Sequence, residues 1–162
     1  MWPSAWDDTI ASVAWEQWLL GGRLATLRAE LELEEGRFDD AMRWARRAID
    51  TAVSTGRRKY EVVSRITLGW VMSAQREHGA AVGELHSAVE GADALGSPLL
   101  RWQSRAALGD AQKESSAERA ESESTLKEAV EIVHDVADSL SAERSAAYLA
   151  APQVVSVLEL AR

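Results

Sequence analysis

Residues 41–52 read AMRWARRAIDTA and place alanine at positions 41, 45, 48 and 52. This spacing puts all four alanines on one face of an α-helix. Forty residues later the stretch AVGELHSAVEGA (81–92) has a similar pattern, and 41 residues after that the stretch SESTLKEAVEIV (122–133) has it again. The three stretches therefore predict three equivalent helices within an internal repeat, each burying the same narrow stripe.

The residues around these stretches follow the same period. A shift of 40 residues aligns three further features: Gly56 with Gly96, Leu68-Gly69 with Leu108-Gly109, and Val62 with Trp102. Each unit is expected to hold two antiparallel helices, with first helices at about 18–35, 58–77 and 98–115 and second helices at about 38–54, 80–95 and 119–138. The expected punctuation is a turn at Gly36 and Gly79, an N-cap at Asp39 or Asp40, and a helix start at Ser97-Pro98.

Composition agrees with an all-helical fold. Alanine is the commonest residue, leucine and glutamate follow, arginine is also abundant, and the chain has only three prolines. These are strong helix formers. We predict an all-α, right-handed α-solenoid of three antiparallel helix hairpins with capping helices at both ends. The predicted single domain over 1–162 divides into a Trp-rich segment (1–20), repeats at 21–56, 57–96 and 97–138, and C-terminal capping helices (139–162) that cover the third hairpin.

Charge and composition exclude several classes of function. The chain has 18 Lys and Arg residues against 26 Asp and Glu residues, a net charge of −8, and no cysteine. An acidic balance argues against direct binding of nucleic acid, which depends on neutralising phosphates. The absence of a long apolar run argues against a membrane span. The absence of cysteine removes disulfides and thiolate chemistry, and a cytoplasmic location is expected.

Catalytic and metal-binding patterns are also missing from the sequence. His78, His86 and His134 do not have ligand spacing, and the clustered glutamates of residues 30–35 point in several directions on a helix. No GxSxG elbow or phosphate-binding loop occurs. We therefore expect no enzymatic activity, no metal and no cofactor.

Two local clusters each allow two interpretations. Six basic residues near the end of the first alanine-rich helix form either a docking patch for an acidic partner or, as we favour, a solvated outer face: Arg43, Arg46, Arg47, Arg57, Arg58 and Lys59. Four of the seven tryptophans lie within residues 1–20. They could pack against a neighbouring domain or form an apolar patch that drives homodimerisation.

The spacing of Gly36, Ala41 and Ala48, together with Leu68-Gly69, resembles the skeleton of a tetratricopeptide repeat. The 40-residue period is similar to the extended repeats in the C-terminal region of large bacterial signalling ATPases and transcription activators of the maltose-activator type. Three segments carry that likeness, which covers about 15–162: Arg57-Arg58-Lys59-Tyr60, Leu95-Gly96-Ser97-Pro98, and Ser145–Pro152 with Val154–Leu158. Because the chain lacks the ATPase motif of such proteins, the resemblance implies an excised sensor segment.

The resemblance also implies a binding surface. In tetratricopeptide repeats the residue after the conserved glycine tends to face a concave groove, which here would be Trp70; packing into a gap between repeats is the alternative role for this side chain. The groove residues implied in this way are Arg23, Thr26, Glu30, Ile66, Trp70, Ser73, Gln103, Asp110 and Lys113. Trp102, aligned with Val62, is expected in the core.

The function implied is a non-catalytic protein-interaction and regulatory module of a bacterial signalling or transcription-regulatory protein. It would bind a peptide or a partner domain on the concave face. The alternative is a small-molecule sensor domain in which an inducer binds inside the superhelix.

Overall fold

The computed structural model describes residues 21–161, and the regular elements in this range are all helices. The Trp-rich segment 1–20 and the dimerisation predicted for it lie outside the described residues. The elements are α1 (Gly22–Glu34), α2 (Phe38–Ser54), α3 (Arg58–Ala74), α4 (His78–Leu95), α5 (Pro98–Glu114), a 3-10 turn (Arg119–Glu121), α6 (Ser122–Asp138), α7 (Ala142–Leu149) and α8 (Pro152–Leu160). The all-α prediction is confirmed.

The helices pack in chain order. Each helix from α1 to α6 packs against the next one, and α3 also contacts both α1 and α5. Among the described residues the even-numbered helices α2, α4 and α6 make no such contacts with one another. Because a curved array brings its inner members closer together, α1, α3 and α5 form the inner row. This sequential packing is consistent with an α-solenoid.

The predicted alanine stripe forms the buried face of the even-numbered helices. Ala41, Ala45 and Ala48 are fully buried in α2, as are Ala81, Leu85, Ala88 and Ala92 in α4. In α6 the equivalent residues Ser122, Leu126, Ala129 and Val133 are also buried. The period of 40 to 41 residues therefore marks equivalent positions in the structure.

Small residues on the inner helices face larger ones on the outer helices. A Cβ atom added to Gly69 would lie 2.5 Å from Cγ of Leu85, and one added to Gly109 would lie 2.6 Å from Cγ of Leu126. The same 40-residue register places Ala29 and Ala45 in one cluster of the core, both fully buried. Glycine at 69 and 109 thus lets a leucine fill the space that a side chain would otherwise occupy.

The turns correct two details of the sequence-based prediction. Gly36, Gly56 and Gly96 have φ values of 73°, 66° and 62°, as their C-terminal positions require, but Gly79 lies inside the first turn of α4. Arg76 takes the left-handed conformation there, with a φ of 63°. Asp39 and Asp40 lie in the first turn of α2 rather than at its N-cap, which is Arg37. Carboxylates in a first turn still favour the helix dipole.

The C-terminal helices pack at the end of the row: α7 contacts α6, and α8 contacts α5 and α6. Val154 and Val157 of α8 are buried in a second core cluster with Trp102 of α5 and Ile132 and Val133 of α6. Trp102 is 4% exposed, which confirms its expected place in the core. Between residues 21 and 161 there is no helix whose length and apolar character would allow it to cross a membrane.

Candidate functional site

A groove of about 630 Å³ runs across the inner row of helices. Four helices supply its walls: α1, α3, α5 and α8. The lining residues are Glu30, Leu33, Glu34, Val63, Ile66, Thr67, Trp70, Trp102, Gln103, Ala106, Ala107, Asp110, Gln153, Ser156, Val157 and Leu160. A volume of this size is typical of sites that hold a small molecule or part of a peptide.

The exposed aromatic side chain of the groove is Trp70. Its side chain is 44% exposed although it follows the tightly packed Gly69. Ile66, one turn earlier on α3, lies at the base of the same wall and is buried. The exposure of Trp70 favours the groove position over the gap-filling alternative, because a residue that only fills a gap between helices would be more fully buried.

The charged groups in the groove wall are all carboxylates: Glu30, Glu34 and Asp110. Glu34 and Asp110 are exposed, whereas Glu30 is half-buried and accepts a hydrogen bond from the hydroxyl of Thr67 (3.3 Å). Burial raises the pKa of the Glu30 carboxyl above its usual 4.5; the Thr67 hydroxyl acts against that shift and the charge of Glu34 adds to it. No lysine, arginine or histidine is among the lining residues.

Five of the nine residues implied by the family resemblance come together in this groove: Glu30, Ile66, Trp70, Gln103 and Asp110. The other four lie outside it. Arg23 is exposed near the start of α1, and Ser73 is one turn beyond Trp70 on α3. Lys113 donates a hydrogen bond to the carbonyl of Leu160 (2.5 Å) and so ties α5 to the end of α8.

Thr26 is in the interior rather than at the groove surface. Its side chain is 4% exposed, and its hydroxyl lies 2.8 Å from the hydroxyl of Ser64 on α3. It also donates to the carbonyl of Gly22, 3.0 Å away. The burial of Thr26 at the α1–α3 contact and its partners Gly22 and Ser64 make its hydroxyl unavailable to a ligand.

The groove also contains residues that the sequence analysis missed. Gln153, Ser156 and Leu160 form one face of α8, at a spacing of three and four residues. That spacing is visible in the sequence, but the docking of α8 beside α5 depends on contacts between distant residues. Thr67 was not predicted either, because the resemblance assigns only its neighbour Ile66 to the groove at this turn of α3.

The lining side chains offer carboxylates, amides, hydroxyls and one exposed indole, a set suited to binding through hydrogen bonds, charge and aromatic contact. Among residues 21–161, no group of three His, Asp or Glu side chains is arranged so that it could hold a metal ion.

The basic cluster is partly engaged in contacts within the chain. The guanidinium of Arg47 lies 5.1 Å from the centre of the Trp44 ring, and that of Arg57 lies 4.3 Å from the centre of the Tyr60 ring. Arg43 pairs with Asp40. These residues are on α2 and at the start of α3, away from the groove lining.

In comparisons with known proteins, the chain matches no family model, no curated protein and no solved structure.

Proposed function

We propose that this chain is a non-catalytic interaction and regulatory module that binds a peptide or a partner domain in the groove across α1, α3, α5 and α8. The observation that carries the proposal is Trp70, an exposed indole in a groove whose lining also includes three carboxylates. Tryptophan is enriched among the residues that dominate binding energy at interfaces. The bacterial signalling or transcription-regulatory setting, in the cytoplasm, follows from the family resemblance.

The proposal includes a finer architecture. We propose three antiparallel hairpins, α1–α2, α3–α4 and α5–α6, in a right-handed superhelix of the tetratricopeptide type. The close approaches of Gly69 to Leu85 and of Gly109 to Leu126, and the burial of Ala29 and Ala45 in one core cluster at the equivalent positions, support three equivalent units. Curved arrays of this kind present extended concave surfaces for binding.

A peptide-display selection tests the proposed function. A random peptide library is selected on the wild-type chain, and the enriched peptides are measured against Trp70→Ala by fluorescence anisotropy. We expect the enriched peptides to lose roughly tenfold or more in affinity, because each 1.4 kcal/mol of lost binding energy is a factor of about ten. Trp44→Ala, on the outer helix α2, is the matched control and should leave affinity unchanged. Failure to enrich any peptide, or equal affinity for Trp70→Ala, would overturn the proposal.

The second candidate function is a small-molecule sensor, which the groove volume favours because it lies within the usual range for ligand pockets. A thermal-shift screen with sugars and common metabolites separates the two functions. A metabolite that raises the unfolding midpoint of the wild-type chain but not that of Trp70→Ala would favour the sensor. The absence of such a compound, together with an enriched peptide, would favour the interaction module.

A further inference from the structure

The groove has a single sign of charge around an apolar floor. Glu30, Glu34 and Asp110 supply three carboxylates, and no cationic side chain lines the wall. Burial raises the pKa of Glu30, so a nearby cation would relieve an unfavourable environment for this charge. The groove is therefore complementary to a positively charged ligand.

The carboxylates stand at two ends of the groove. Glu30 and Glu34 are on α1 and Asp110 is on α5, with α3 between these two helices. Neighbouring helix axes lie about 8–10 Å apart, so the axes of α1 and α5 are separated by up to roughly 16–20 Å. An extended peptide rises about 3.3 Å per residue, so the distance between the two axes corresponds to about five residues. The Glu30 carboxylate, 3.3 Å from the hydroxyl of Thr67 on α3, lies inside that span, whereas Glu34 is one turn further along α1. A ligand with a single cationic group can occupy only one end.

The space between the two ends suits the stem of a basic side chain. Trp70 and Ile66 on α3 and Leu160 on α8 present an aromatic face and aliphatic surface there. Lysine and arginine pack their methylene stems along such surfaces while keeping the charged group in water. A cation over the face of an indole is attracted further by the ring electrons.

The chain's own N-terminal segment does not have this chemistry. Residues 1–20 contain Asp7, Asp8 and Glu16 and neither lysine nor arginine. Like charges would oppose its entry into the groove. The occupant must therefore come from elsewhere.

We propose that the groove binds an extended, basic peptide segment with two cationic side chains about five residues apart and apolar residues between them, one cation near Glu30 and Glu34 and the other near Asp110. This proposal rests on the proposed function of the groove as a peptide-binding surface and names the class of peptide.

The test uses a labelled peptide, Gly-Lys-Ala-Leu-Val-Ala-Lys-Gly, titrated into the full chain and followed by fluorescence anisotropy. Two comparison peptides are used. The first has the same composition but places the two lysines next to each other, and the second has glutamate in place of both lysines. The variants are Glu30→Gln and Asp110→Asn, with Glu90→Gln, an exposed residue of α4 outside the groove, as the matched control. We expect binding by the spaced peptide, weakened about two- to fivefold by each groove variant and unchanged in Glu90→Gln.

Three results would overturn the inference. The glutamate peptide or the adjacent-lysine peptide could bind as tightly as the spaced lysine peptide, Glu90→Gln could weaken binding as much as the groove variants, or Nα-acetyl-lysine amide alone could displace the peptide at equal concentration. In each case the proposed function is retained if the display selection yields peptides whose binding depends on Trp70. If none of the three designed peptides binds, the inference fails; if the display selection also enriches no peptide, the proposed function fails as well.

Discussion

At the scale of single residues, two glycines set how closely the inner and outer helices approach. Gly69 and Gly109 leave room for Leu85 and Leu126, two leucine side chains with almost no exposed surface. Gly83, in contrast, is in the interior of α4 with no atom within 4 Å of an added Cβ. The same residue type therefore has a packing role at one position and none at another.

Gly69→Ala should lower the free energy of unfolding by about 1–2 kcal/mol, because overpacking a core costs about 1–3 kcal/mol and better helix propensity returns up to about 1 kcal/mol. Gly83→Ala should raise it by up to about 1 kcal/mol. Urea denaturation followed by circular dichroism measures both. A stabilising Gly69→Ala would show that the approach of α3 and α4 is looser than the structure indicates.

The partial burial of the charged Glu30 carboxylate lowers the free energy of unfolding. A carboxyl whose pKa is raised on folding contributes stability that is complete below its unfolded pKa, here about 4.5, and that is lost as pH rises through the folded value. Glu30→Gln, which stays neutral, should therefore be more stable than the wild type at neutral pH, and the difference should vanish below about pH 4.5. Urea midpoints across this range, with Glu90→Gln as the control, provide the measurement. A difference that does not change with pH would contradict the burial of the Glu30 charge.

At the scale of elements, matching ion pairs join successive helices. Arg65 of α3 pairs with Glu61 on its own helix (2.9 Å) and with Glu84 of α4. Forty residues later, Arg105 of α5 pairs with Glu128 of α6 (3.0 Å) and with Asp93 of α4 (2.8 Å). Hydrogen bonds from Arg105 hold the pKa of Asp93 below its usual range. The repeat thus places an arginine at the same position of two inner helices, and Arg105 contacts the helices on both sides of it.

The element that completes the groove is α8. Val157 is 1% exposed and packs in the cluster around Trp102, whereas Val155, two residues earlier, is 36% exposed. Val157→Ala should destabilise the chain by about 1.5–3 kcal/mol from lost burial and the cavity left behind. Val155→Ala should change stability by less than about 0.5 kcal/mol. Because the two substitutions alter helix propensity equally, equal losses in urea denaturation would mean that α8 is not docked on α5 and α6.

The sequence predicts most of the elements because local patterns determine them. The alanine stripes, the glycines at 36, 56 and 96, and the prolines at 98 and 152 are short-range signals, and the helix bounds follow them within a few residues. The left-handed turn at Arg76 was not predicted, because the nearby Gly79 can adopt a positive φ without the steric strain that an arginine experiences. The groove was predicted in part: the position of Trp70 is what the resemblance to tetratricopeptide repeats implies, whereas the burial of Thr26 depends on its partner Ser64, and the contribution of α8 depends on tertiary packing.

At the scale of the whole molecule, a repeated packing unit forms one binding surface. Among the inner helices, α3 contacts both α1 and α5, and α8 closes the end of the row through Val157 and the bond of Lys113 to Leu160. An acidic groove with an exposed tryptophan results from this order of elements. Its chemistry comes from positions that face inward at equivalent places in successive units.

The indole N–H resonances of the chain's tryptophans, recorded by heteronuclear NMR during titration with the spaced dibasic peptide, test this central claim most directly. Substitution of Trp70 and of Trp44 assigns their two signals. The account predicts that the Trp70 signal shifts and saturates with added peptide, while the signal of Trp44 on the outer helix α2 stays in place. A Trp70 signal that does not move, or a Trp44 signal that shifts in its stead, would contradict the placement of the binding surface on the inner row.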